Sequence, residues 1–260
     1  MSDLSLIQYV LIALVFVWSG FVRSGLAFGG AVLALPFLLL IHNDPLVYLP
    51  IISVHLLIFS SLTIWMNHRK QAAQAGGGDV SGTVDWRYLG KILGIMIVPK
   101  IIGVFGLITF PAVVMSSIIF VIVSVYAMSY ILNKPFRSKS PFVDTVFLML
   151  GGYISGTSLI GAPLVIAVVA QHLPRERLRD TLFALWFILV TIKMGAFVWA
   201  GIDLQLVHHL WLLPCAAVGH VIGLWFHERM LKSEPTVFFR FLGVVLLVVS
   251  SLGLWRGITG

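Results

Sequence analysis

The stretch that decides the fold is GGYISGTSLIGAPLVIAVVA, residues 151–170. Glycines, a proline and the hydroxyls of Ser155, Thr157 and Ser158 are poor material for a helix interior. Yet long apolar runs flank this segment on both sides. The chain is 59% hydrophobic and only 10% charged, whereas a soluble domain carries about a quarter charged residues. Six apolar blocks, 45–66, 88–108, 111–132, 179–200, 204–226 and 236–255, each match the roughly 30 Å of a bilayer's hydrocarbon layer. The composition is that of a polytopic membrane protein.

Two further blocks are too long for one crossing. At 1.5 Å per residue, 4–41 would extend roughly 57 Å and 142–171 roughly 45 Å, and small residues interrupt each. Both read as helical hairpins or broken helices. The interruptions resemble each other: GFVRSGLAFGGAVLA from Gly20 aligns without a gap with GYISGTSLIGAPLVI from Gly152. Further on, KIIGVFGL from Lys100 lies beside AVGHVIGL from Ala217.

Most basic residues gather in 67–91, 133–141, 172–179 and 227–235, while the turns HNDP, TFP and GID carry no Lys or Arg. Basic loops stay cytoplasmic. If each long block returns to its starting side, all four basic loops share the cytoplasm. The expected fold is therefore an all-α polytopic membrane protein of two inverted repeats, each a broken-helix hairpin plus three transmembrane helices. Residues 1–132 form the first repeat, 133–141 a cytoplasmic linker and 142–260 the second repeat. Inverted repeats with broken helices are a mark of secondary transporters.

Unwound backbone survives in a bilayer only where protein or a water-filled cavity surrounds it. New helices are expected to start near Ala31 and Pro163, since proline suits a first helical turn. Helix N-termini favour anions; Gly29, Gly30 and Gly161 let backbone approach a ligand, and Ser24, Ser155, Thr157 and Ser158 add hydroxyls. Arg23, Lys100 and Lys193 lie within apolar blocks, where charge is costly and usually functional. Lys193 is near enough to the outer surface for its ammonium to reach it. No Asp or Glu falls deep in any block, which disfavours cation transport and points to anions. His55 and His220 are candidate proton relays, as is Lys193, and each is equally a candidate packing residue. Gly219 and Gly223 fit close helix packing.

Other classes fare worse. The net charge of +7 sits in short loops and does not indicate nucleic acid. Cys215 is the only cysteine, which leaves no intrachain disulfide or thiolate cluster. The start, MSDLSLIQYV, lacks the basic region of a cleaved signal peptide. No phosphate-binding loop is present, and no cofactor is expected. A serine protease would use Ser158 with His55 or His220, but the Gly-x-Ser-x-Gly elbow is missing. An anion channel shares the same attracting breaks.

The doubled motif, GFVRSGLAFGGA and GYISGTSLIGAP, resembles the sulfite exporter (TauE/SafE) family of membrane permeases over nearly the whole chain. Gly20, Gly29, Gly30, Gly152, Gly156, Gly161 and Pro163 match the family motif. Ser24, Ala27 and Ala31 stand where glycine is common, and Arg23 replaces a residue that is often small or uncharged. The resemblance implies a bacterial inner-membrane carrier that exports sulfite, sulfonates or related small organic anions, coupled to the proton gradient. Its partners would be that small anion and the lipid bilayer.

Overall fold

The computed structural model describes residues 4–26, 30–74, 83–230 and 236–259. These form α1 (Leu6–Leu26), α2 (Gly30–Ile41), α3 (Pro45–Gln74), α4 (Trp86–Thr109), α5 (Ala112–Ile131), α6 (Pro141–Ser158), α7 (Ala162–His172), α8 (Arg175–Trp199), α9 (Leu206–Met230) and α10 (Thr236–Thr259). Seven of them, all but α2, α6 and α7, contain stretches long and apolar enough to cross a membrane. Residues such as Val98, Ile102, Val221, Trp225 and Val244 are exposed on the outside, as befits helices whose solvent is lipid. The protein is an all-α, multi-pass membrane protein.

Both long blocks break near the expected places, with α2 starting at Gly30 and α7 at Ala162. The second break has a visible local cause. Leu159 closes α6 in the left-handed region (φ 62°), a conformation that costs an L-residue roughly 1–2 kcal/mol. Pro163 then falls in the first turn of α7, where its missing N–H breaks no intrahelical bond.

After each break the chain comes back along the helix before it. Gln8 Nε2, near the start of α1, donates to the carbonyl of Ile41 at the end of α2 (3.1 Å), and Trp18 Nε1 donates to Leu33 O (3.1 Å). At the far end of the other pair, Asp144 in the first turn of α6 meets His172 at the end of α7 (2.8 Å).

The closest helix pairings are α1 with α9, α4 with α6, α5 with α10 and α3 with α8. Glycine makes the first two possible. A Cβ on Gly219 of α9 would run into the Val17 carbonyl of α1, and one on Gly152 of α6 would stand 2.6 Å from the Met96 carbonyl of α4. Such contact between backbones tolerates no side chain. The packing role read for Gly219 is met. Phe16, Leu35, Tyr48, Phe120 and Leu246 fill the interior between the pairs. α3 runs on past the apolar block to Gln74, since NHRKQAAQ is mostly good helix former outside the membrane.

Candidate functional site

Between the two breaks lies a narrow cavity of about 50 Å³, room for a few waters or one small anion. Arg23 of α1, Gly30 at the start of α2, Ser60 of α3, Ser155 and Leu159 of the second break, and Ala162 at the start of α7 line it, with Phe183 and Trp186 of α8 closing the side. The first residues of α2 and α7 thus face one space, and no carboxylate lines it among the described residues.

Arg23 is 8% exposed. Its Nη1 donates to the His55 carbonyl (3.1 Å), and its guanidinium lies 5.0 Å from the centre of the Phe59 ring. With one backbone bond among the described residues, most of its donors remain for whatever occupies the cavity. Lys100 is fully buried, and its Nζ donates to both the carbonyl and the hydroxyl of Ser155 at 2.9 Å each. It does not line the cavity. It holds the last turns of α6, through the Ser155 that does line the cavity.

The sequence profile described as "Sulfite exporter TauE/SafE" matches residues 12–253. The chain belongs to the TauE/SafE family. That family is associated with export of small anions across a membrane, and its members are transporters, not enzymes. No curated protein and no solved structure matches the chain.

The remaining residues that the TauE/SafE motif and the buried charges single out are placed as follows. Gly29 lies outside the described residues. Ser24 shares a short hydrogen bond with His220 Nδ1 of α9. Thr157 and Ser158 both donate to the Ile154 carbonyl, at 3.0 and 2.9 Å; their hydroxyls are spent on satisfying their own helix end. A Cβ on Gly161 would strike the Gly151 carbonyl, so this glycine closes the turn. Pro163 faces a separate hollow beside Tyr130 and the 135–139 segment.

Lys193 corrects an expectation. Its ammonium does not reach the outer surface: the side chain is 0% exposed, has no hydrogen-bond partner among the described residues, and lies 5.5 Å from the Phe197 ring centre. His55 is also fully buried, with neither ring nitrogen partnered among the described residues. Sequence reasoning missed Ser60, which lines the cavity, and Asp180, a buried carboxylate one helical turn before Phe183. Asp180 stands at the edge of its apolar block among arginines, so it reads as a loop charge. The serine-protease arrangement is not assembled, because His220 bonds Ser24 and Ser158 bonds its own helix. Among the described residues there is no group of His, Cys, Asp and Glu able to hold a metal ion.

Proposed function

We propose that the chain is a secondary carrier that exports sulfite, a sulfonate or a similar small oxyanion across a bacterial inner membrane, coupled to the proton gradient. The observation that carries this reading is Arg23, a buried guanidinium with one hydrogen bond among the described residues, lining a cavity that also receives the first residues of two helices. Helix N-termini and a fixed cation attract the same sign of charge. The lining offers Ser60 and Ser155 hydroxyls for orientation and nothing for a cation.

The packing supports two inverted repeats, each a hairpin followed by three crossings. Exchanging α1 to α5 for α6 to α10 turns the α1–α9 pair into α6–α4, and leaves the α3–α8 and α5–α10 pairs as they are. Gly20 faces Ala216 while Gly152 faces Met96, so Met96 and Ala216 are the equivalent positions. One turn on, Lys100 and His220 are equivalent as well. Each reaches from the fourth helix of one half to the first helix of the other, at Ser155 and Ser24. The alignment of KIIGVFGL with AVGHVIGL is therefore displaced from the packing register.

Purified protein in proteoliposomes, given sulfite, sulfate, methanesulfonate, ethanesulfonate and acetate in turn, tests the function. The expected result is saturable flux of one or more of the sulfur anions that responds to an imposed pH gradient. Unsaturable flux indifferent to that gradient indicates a channel, and no flux of any of the five overturns the anion reading.

A further inference from the structure

His55 has no structural reason to be a histidine. Its ring is packed edge-on against Phe16 (5.3 Å between centres), Phe59 (6.4 Å) and His209 (5.3 Å), company that a phenylalanine would fill as well. Both ring nitrogens are buried without a hydrogen-bond partner among the described residues. Each such group forfeits about 1–3 kcal/mol, and neutral imidazole ordinarily donates from one nitrogen and accepts at the other. What a histidine offers that phenylalanine does not is a site for a proton.

The charged and titratable groups facing this ring are Arg23 from α1 and His209 from α9; His220 faces the other neighbour, Phe59. Arg23 is the group that joins His55 to the cavity, since it lines that space and donates to the His55 carbonyl. With the cavity empty, the guanidinium repels a second positive charge on the imidazole. With an anion against Arg23, that repulsion is cancelled and the imidazolium is stabilised.

We propose that His55 is the coupling-proton site of the carrier: it takes up one proton when an anion occupies the cavity at Arg23 and gives it back when the anion leaves. The inference rests on the anion-carrier reading above and adds to it the residue and the sign of coupling. By linkage, the anion raises proton affinity and the proton raises anion affinity by the same factor. Anion and proton therefore cross together, so a pH gradient by itself drives the anion toward the alkaline side. A divalent anion moving with one proton still carries a net negative charge, and an inside-negative membrane potential drives it outward. His209 supplies the route. It is half-buried near the start of α9, its Nε2 meets the Leu204 carbonyl (3.2 Å) in the turn before that helix, and its buried Nδ1 has no partner among the described residues. His209 Nδ1, the nitrogen left without a hydrogen, accepts a proton and hands it to His55 directly or over one water, while Nε2–H stays bonded to the Leu204 carbonyl.

The test is the pH dependence of sulfite binding to the full-length protein in detergent, wild type against His55→Gln. Sulfite's own titration is common to both and cancels in the comparison. The expected result is that the wild-type apparent Kd, relative to the variant, tightens by up to about tenfold for each unit of falling pH, one proton being linked. A weakly buffered wild-type sample given methanesulfonate, which does not titrate in this range, should also take up close to one proton per anion bound. This second measurement needs no variant and stands even if His55→Gln fails to fold. Wild-type binding with no linked proton between pH 5 and 8 overturns the inference and leaves the carrier reading intact, and a His55→Gln protein with the wild-type pH slope does the same. Absence of binding or flux for the whole anion panel overturns both.

Discussion

Arg23, Lys100 and Lys193 are all basic residues buried in apolar blocks, and packing sets them in three different surroundings. Arg23 lines the cavity, so under the proposed anion-carrier reading Arg23→Gln removes a charge-assisted hydrogen bond to the anion, worth roughly 1.5–3 kcal/mol. The apparent Kd for the transported anion should rise about tenfold or more in equilibrium binding; an unchanged Kd means that the helix termini alone carry recognition. Lys100 reaches Ser155 and not the cavity. Lys193 has no hydrogen-bond partner among the described residues and sits within electrostatic range of Lys100. Replacing an uncompensated buried polar group by an apolar one of similar shape is neutral or stabilising. Lys193→Met should therefore keep or raise the thermal midpoint in detergent, and a clear fall would show that the ammonium has a partner. The sequence places all three charges within apolar blocks, where charge is conspicuous, but it leaves the Lys193 ammonium free to reach the outer surface. It does not reveal which way each points, and for Thr157 and Ser158 it hides that the Ile154 carbonyl claims both hydroxyls.

At the scale of elements, the helix contacts depend on backbone touching backbone. Gly152 of α6 and Gly219 of α9 occupy such contacts, while Gly195 of α8 has nothing within 4 Å of where a Cβ would stand. Overpacking a tight site costs about 1–3 kcal/mol, whereas glycine to alanine on an open helix face gains roughly 0.5–1 kcal/mol. Gly152→Leu and Gly219→Leu should lower the thermal midpoint or broaden the size-exclusion profile, and Gly195→Ala should do neither. Equal behaviour of all three would remove the argument for close packing. The helices themselves were largely legible, since hydropathy and length alone locate both breaks to within a few residues. The register between α4 and α9 was not. It is set by which glycine meets which carbonyl across a helix pair, and KIIGVFGL and AVGHVIGL are too alike in several offsets to show it.

For the whole molecule, the side-chain contacts at the helix ends sort into two sets. Arg256 at the end of α10 donates to the Leu40 carbonyl (2.8 Å), close to the Gln8–Ile41 bond (3.1 Å). At the other set, Asp144 meets His172 (2.8 Å), the His172 ring lies 5.9 Å from Tyr88, and Arg177 approaches Asp85 (3.9 Å). The second set draws the segment before α4, the start of α6, the end of α7 and the start of α8 to one end of the bundle, where the basic loops 133–141 and 172–179 also lie. Positively charged loops are retained in the cytoplasm, so this end should face inward, with the 42–44 and 201–203 turns outside. A Cys215→Ala background carrying single cysteines at the exposed positions Asn43, Lys139, Gln171 or Asp203 reads the arrangement directly. A membrane-impermeant maleimide added to intact cells should label Asn43→Cys and Asp203→Cys, and should reach Lys139→Cys and Gln171→Cys only after permeabilisation. The Gln171 position is decisive, because a single continuous crossing from 142 to 171 would carry it to the outside. Labelling there without permeabilisation would break the hairpin, and with it the equivalence of halves that brings both breaks to one cavity.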